Sequence, residues 1–387
     1  MKYQRKIVSE LKARLALEPQ FIQIVVGPRQ VGKTTAVKQL EAEVDLPSIY
    51  GAADTAGAAD QSWLSTKWAE ARALLKNNGC ALLVLDEVQL VPEWQRVVKA
   101  LWDQEKDHTG KLHVIITGSS ALLLKKGSES LAGRFEVHNL LQWSFAEMRD
   151  AFGYSLEEFI LQGGYPATAG LRNDEVRWKD YIKASLIETV LSKDVIALSQ
   201  ITKPALLKQL FVLACSYPAE IVAYTKFLGQ LHDVGNVTTL SSYRQVLEDA
   251  YLIKTLNKWS GSQIKARASK PKWIIRDNSL ITALAPYALQ QIPELPLYGR
   301  LLENAVISHL LKLVPEAYYW REKTNEVDLV FQYQGQLYGV EIKAGTRTCS
   351  KSGLSAFQKR YPDSKVLLIG AGGIAIEDVL SAQSWVW

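Results

Sequence analysis

Phe21–Thr34 reads FIQIVVGPRQVGKT, and Thr35–Val44 continues as TAVKQLEAEV. The first six residues have the apolar, β-branched composition of a strand. The next eight, Gly27–Thr34, fit G-x-x-x-x-G-K-[ST], and the residues after them carry helical spacing. Strand, glycine loop and helix in that order form the context in which this motif cradles phosphate. Gly27 and Gly32 allow backbone conformations that other residues resist, so loop N–H groups can turn onto phosphate oxygens. The positive end of the following helix adds to that field. The expected nucleotide-binding set is Gly27, Pro28, Arg29, Gln30, Val31, Gly32, Lys33, Thr34 and Thr35. Within it, Lys33 reaches the β- and γ-phosphates and the Thr34 hydroxyl ligates Mg²⁺, so the expected ligands are ATP and Mg²⁺.

Such a site needs an acidic partner at the end of a second buried strand. Ala81–Leu85 reads ALLVL and Asp86–Glu87 follow. A continuous apolar run suits a central parallel strand. Asp86 is expected to hold Mg²⁺ through water, and Glu87 to orient or activate the attacking water. A third run, Leu112–Ile116 (LHVII), leads into Thr117-Gly118-Ser119-Ser120.

Together GPRQVGKT, LLVLDEVQ, VIITGSS and SLAGRF resemble AAA+ ATPases. More narrowly, the chain resembles a prokaryotic ATPase family in which an AAA core is joined to a winged helix and a C-terminal nuclease-like module. The resemblance implies a sensor role near the γ-phosphate for Ser119 or Ser120. It also implies that Arg134 is an arginine finger acting across a subunit interface of a homo-oligomer, such as a hexameric ring. From the residues alone, Arg134 is equally a surface side chain, or one paired with Glu129 or Glu136.

The chain has 387 residues, too many for a single core. The readings divide it into an α/β P-loop ATPase core of AAA+ type at 1–147, a helical lid at 148–200, a winged helix-turn-helix at 201–285, and a nuclease-like α/β domain at 286–387. Apolar residues at 48% and charged residues at 22% exclude a disordered chain. Cys80, Cys215 and Cys349 stand too far apart for a disulfide framework or a zinc site, and the five histidines lack ligand spacing. The N-terminus is charged throughout, and no run of about 18 apolar residues occurs. A cytoplasmic protein with no membrane segment is therefore expected.

Net charge is +5, but Ile201–Arg276 carries 11 Lys/Arg against 4 Asp/Glu. That excess suits a polyanion such as DNA. The stretch also reads as three helices, Pro204–Cys215, Ala223–Leu231 and Thr239–Tyr251, followed by two short strands around Lys265–Lys272. This is the order of a winged helix-turn-helix. Ser241, Ser242, Tyr243 and Arg244 would lie on the recognition helix, with Lys265, Arg267, Lys270 and Lys272 on the wing. Before it, Gly163-Gly164-Tyr165-Pro166 interrupts helical spacing and resembles a motif of the same ATPase family.

In the C-terminal quarter, Glu303 lies near the start of a helix. Alternation in Glu326–Phe331 puts Glu326 and Asp328 on one strand face, and Glu341 and Lys343 share a face in the next strand. Carboxylates gathered at a sheet edge bind Mg²⁺, and a nearby lysine stabilises charge on a phosphate. The layout resembles the PD-(D/E)xK nuclease fold. It implies Glu303, Asp328, Glu341 and Lys343 as catalytic residues, with Asp328 and Glu341 as metal ligands and Gln358 as a further polar residue.

Overall fold

The computed structural model describes residues 3–55, 57, 59–105, 110–119, 131–196, 201–231, 236–260, 269–343 and 352–387. Ser120, Glu129, Lys265, Arg267 and Cys349, singled out above, lie outside the described residues. The chain forms two compact units, Met1–Leu141 and Gln142–Trp387.

In the first unit, apolar runs have become parallel strands. Helix α1 (Lys6–Leu15) precedes β1 (Ile22–Val26), α2 (Lys33–Glu43), β2 (Ser48–Ala52), α3 (Gln61–Asn78), β3 (Cys80–Asp86), α4 (Trp94–Glu105), β4 (Lys111–Gly118) and β5 (Phe135–Asn139). The five strands are ordered β2-β3-β4-β1-β5 and every pair is parallel. All five residues of β1 are buried, as are Ala81–Asp86 in β3. Burial on both faces is why these strands read as unbroken apolar runs. Trp68, Trp94 and Trp102 from α3 and α4 pack against them. Parallel strands end on a common edge, so the loops after β1, β3 and β4 emerge side by side. Val26 is in register with Gly118, and Leu85 with Ile116.

The second unit begins with α5 (Phe145–Phe152) and α6 (Leu156–Gln162). Ser144 with Glu147, and Ser155 with Glu158, close a capping box at each start. Helix α7 (Glu175–Tyr181) follows, and residues 182–196 continue with π-type winding. Next come α8 (Pro204–Ser216), β6 (Glu220–Ile221), α9 (Tyr224–Leu228), α10 (Val237–Asp249), β7 (Ile253–Lys258) and β8 (Lys272–Ile275). The three helices and two strands expected here are present. Helix α10 starts two residues early, because Asn236 accepts a hydrogen bond from Thr239 N at 2.7 Å and is the cap.

The remainder is α11 (Asn278–Thr282), α12 (Pro296–Leu313), β9 (Tyr318–Glu322), β10 (Asn325–Tyr333), β11 (Gln336–Lys343), α13 (Ser352–Arg360), β12 (Lys365–Gly370) and α14 (Ile376–Ser381). One sheet, ordered β12-β11-β10-β9-β7-β8-β6, runs through the residues expected as separate domains at 201–285 and 286–387. The join is the parallel pairing of Asn257 and Lys258 in β7 with Tyr318 and Tyr319 in β9.

The Gly163-Gly164 pair has a steric role. A Cβ on Gly163 would stand 1.9 Å from Asp277 Oδ1, and one on Gly164 would stand 2.1 Å from the Trp143 carbonyl oxygen. The buried Asp277 carboxylate accepts from Gly164 N at 2.8 Å and from Ser279 N and Oγ.

Candidate active site

The loop between β1 and α2 owes its course to two glycines with different jobs. Gly32 has φ +91°, a left-handed conformation that disfavours a side chain. Gly27 passes against Leu140, whose carbonyl oxygen would lie 1.9 Å from a Cβ there. Pro28 and Val31 are buried, Arg29, Gln30 and Thr34 half-buried, and Thr35 exposed at the first turn of α2. Lys33 is buried, and its ammonium donates to the carbonyls of Gly27 at 2.9 Å and Pro28 at 2.8 Å. Arg5, before α1, donates to the carbonyls of Val31 at 3.3 Å and Leu141 at 3.0 Å, bracing the loop from behind.

Strand register brings the acidic pair to this loop. Thr34 Oγ1 donates to Asp86 Oδ2 at 2.8 Å. Asp86 is buried and also accepts from Tyr50 Oη at 2.6 Å, from Thr117 Oγ1 and from Glu87 N at 3.0 Å. A carboxylate with about four acceptor sites is thereby filled with donors. Burial and the Asp86 acceptor push the Tyr50 phenol up. The oxygen set of Asp86 and Thr34 suits a hard cation such as Mg²⁺.

Glu87 has φ +51°, outside the usual range for a non-glycine residue. Burial raises its pKa above the ordinary carboxylate value. Lys33 pulls the other way, Asp86 adds to the rise, and the Gln89 amide and Arg29 oppose it. Gln89 Nε2 donates both to the Glu87 carboxylate and to Ser119 Oγ, the latter at 3.0 Å. Ser119 is buried at the end of β4. One amide therefore joins the residue expected to orient water to the residue expected to sense the γ-phosphate. The sequence reading missed Gln89, Tyr50, Thr117 and Arg5. Gln89 was within reach, since it follows the acidic pair in the quoted LLVLDEVQ. Tyr50 lies on β2, a strand without an apolar run to mark it.

Residues 20–149 match the AAA domain family. The first unit has an AAA-type P-loop ATPase fold. Residues 153–291 and 298–383 match two domains of unknown function, DUF8612 and DUF4143. An uncharacterized protein of Mycobacterium tuberculosis and one of Mycobacterium bovis are each 29% identical over 355 residues, covering 89% of this chain and 75% of theirs. A Walker-type ATPase of Pyrococcus abyssi superposes with a TM-score of 0.52 at 15% identity, over 73% of this chain and 96% of that one.

Arg134 sits elsewhere. Its guanidinium makes two bonds to Asp103, at 2.7 and 3.0 Å, and one to the Ala132 carbonyl at 3.0 Å. Glu136, one partner considered from sequence, pairs with Arg14 instead. The Arg134 carbonyl accepts from Ile22 N, at the start of β1, whereas Gly27 follows its end. Five residues of strand, roughly 16 Å at 3.3 Å each, separate Arg134 from its own phosphate loop.

The C-terminal acids do converge, but on a lysine. Lys272, at the start of β8, has a fully buried side chain. Its ammonium lies 2.7 Å from Glu303 Oε1, 2.8 Å from Asp328 Oδ1 and 3.5 Å from Glu326 Oε1. Asp328 Oδ2 accepts from Ile342 N at 2.9 Å. Lys343 pairs with Glu341. Gln358 is exposed on α13. Among the described residues, no group of three or more His, Cys, Asp or Glu side chains is placed to hold a metal ion.

Several of the basic residues at 201–276 are also spent internally. Lys272 is enclosed by acids, and Arg244 bonds Glu248 at 3.1 Å and Thr255 Oγ1 at 2.9 Å. Tyr243 is buried, its hydroxyl accepting from Lys203 N at 3.0 Å. Of the four residues expected on the recognition helix, only Ser242 is exposed. Lys226 and Lys270 remain exposed. Among the described residues, no helix is long and apolar enough to cross a membrane.

Proposed function

We propose that this protein is a Mg²⁺-dependent ATPase whose nucleotide cycle is coupled to DNA through its second unit. Hydrolysis is supported most directly by the 2.8 Å contact between Thr34 Oγ1 and Asp86 Oδ2, with buried Lys33 and half-buried Glu87 beside it. Mg²⁺ held by Thr34 and Asp86 would neutralise charge on the phosphates. Lys33 supplies a positive charge to the β- and γ-phosphates, and the loop N–H groups fix their position. Glu87 orients a water for attack, and the burial that raises its pKa makes it a better proton acceptor than an exposed carboxylate. Ser119 reports the γ-phosphate to Glu87 through Gln89.

DNA as partner rests on the excess of 11 Lys/Arg over 4 Asp/Glu at 201–276 and on the helix and strand order of a winged helix-turn-helix. Arg134, remote from its own phosphate loop, acts on a neighbouring copy, which makes the working form a homo-oligomer such as a hexamer. The test is ATP turnover with and without duplex, single-stranded and branched DNA at several salt concentrations. Stimulation that falls steeply with salt is expected, because phosphate contacts release counterions. No stimulation by any of the three, at any salt, overturns the DNA reading and points to a protein target. Absence of turnover in all conditions overturns the ATPase reading itself.

A further inference from the structure

A nuclease with this strand layout holds a divalent cation between its carboxylates. Here the space between them contains Lys272. An ammonium has three N–H donors, and three carboxylates from α12 and β10 surround this one. The outer acceptors are answered as well. Arg300 Nη1 lies 3.6 Å from Glu303 Oε2, Arg321 Nη1 lies 3.9 Å from Glu326 Oε2, and Lys343 pairs with Glu341. Four acids, Glu303, Glu326, Asp328 and Glu341, therefore face four bases, Lys272, Arg300, Arg321 and Lys343.

Charge balance decides against a metal. A divalent cation is held by carboxylates whose negative charge is not otherwise neutralised, and bringing one beside a buried ammonium sets two positive charges in a poorly solvated space. Glu341 Oε2 is buried without a hydrogen-bond partner. It is a single oxygen, and Gly353 at the start of α13 packs so close that a Cβ there would stand 3.0 Å from it and 2.1 Å from the Glu326 carbonyl oxygen. A cation there would have one unpaired protein oxygen and would need water for most of its remaining positions.

We infer that Lys272 stands, as an ammonium, in the place of the divalent cation, so that the C-terminal module is an ion-paired lock that needs no metal and cleaves no phosphodiester at this cluster. Lys272 belongs to β8 and its partners to α12 and β10, so the lock ties the strand pair after α10 to the C-terminal sheet. The nuclease-like arrangement of acids is then explained by what it binds within the chain.

The experiment uses the full-length protein with Mn²⁺ as the metal probe and supercoiled plasmid as the phosphodiester probe. Wild type and Glu341→Gln are expected to nick plasmid at the same background rate, within twofold, with Mg²⁺ or Mn²⁺. Metal-dependent nicking by wild type that disappears in Glu341→Gln overturns the inference. Lys272→Ala removes the ammonium and leaves the acids. It is expected to gain a saturable stabilisation by Mn²⁺, read as a rise in Tm absent from wild type and lost again when Asp328→Asn is added. A folded Lys272→Ala protein without that gain overturns the claim that Lys272 holds the metal's place. If Lys272→Ala folds only with Mn²⁺ present, the inference is upheld. If it does not fold at all, the nicking comparison between wild type and Glu341→Gln decides.

Discussion

Gln89 Nε2 lies 3.0 Å from Ser119 Oγ while the same amide nitrogen donates to the Glu87 carboxylate. Gln89 is buried, and its Oε1 has no partner among the described residues. A buried polar atom without a partner costs about 1–3 kcal/mol, which a residue serving only to fill space would not carry. Its geometry fits a positioning role, holding Glu87 at the angle its left-handed backbone sets. Gln89→Ala should lower kcat by roughly 10- to 100-fold with little change in KM, since its hydrogen bonds go to Glu87 and Ser119 and not to the phosphate loop. Gln89 also opposes the rise in the Glu87 pKa. The acid limb of the kcat–pH profile should therefore move to higher pH in the variant. A lower kcat with an unmoved limb and a proportionally lower content of folded protein would reduce Gln89 to a packing residue.

Glu87 and Lys33 should separate turnover from binding. Glu87→Gln keeps the shape and removes the base, so kcat should fall by about 10²- to 10⁴-fold while ATP affinity stays within a few-fold. Lys33→Ala should instead weaken ATP binding itself, because it removes the positive charge that the carbonyls of Gly27 and Pro28 hold within the loop. Equilibrium binding of a fluorescent ATP analogue, measured beside turnover, distinguishes the two. Equal loss of affinity in both variants would contradict the assigned roles.

The phosphate loop and its acids were legible because each is a short-range pattern. A buried parallel strand must read as an apolar run, and the residues after it must sit at the sheet edge. Strands β2 and β5 lacked that signal, being half-exposed and mixed in composition. The Lys272 cluster was only half legible. Alternation placed Glu326 and Asp328 on one face, but nothing local ties a lysine at 272 to acids 31 to 56 residues away. The basic excess at 201–276 was likewise legible only as a count. Counting charges does not reveal that Lys272 and Arg244 are consumed inside the unit.

Gly164 should tolerate no side chain. A Cβ would come within 2.1 Å of the Trp143 carbonyl oxygen, a backbone atom held by its own bond from Trp143 N to Gly164 O at 2.9 Å. Relief would break the donation from Gly164 N to buried Asp277. Gly164→Ala should cost about 3 kcal/mol or more, combining overpacking with an unsatisfied carboxylate. For a unit of this size that is a fall of roughly 6–12 °C in the melting of the second unit. Exposed Gly170, with open space where its Cβ would stand, is the control, and Gly170→Ala should melt like wild type. Equal melting of Gly164→Ala and wild type would show that the backbone there yields freely.

Glu303 gives the fold a pH dependence of definite sign. Burial lifts its pKa from 4.5 to about 7, against the pull of Lys272. A carboxyl with a raised folded pKa stabilises the fold fully below its unfolded value, and that contribution is lost as pH rises through the folded value. Asp328 behaves oppositely. Burial alone would raise it, but the Lys272 ammonium and the Ile342 N–H hold it low, so its contribution disappears only in acid. Between about pH 4.5 and 7 the Glu303 loss therefore acts in this cluster, and Glu341, also raised by burial, adds a loss of the same sign. Glu303→Gln fixes the neutral form and should flatten the change. Melting temperatures of wild type and Glu303→Gln across pH 5 to 8 should diverge as pH rises, with the variant gaining on wild type. Parallel curves would mean that Glu303 stays ionised throughout, held by Lys272 and Arg300 more strongly than its burial opposes.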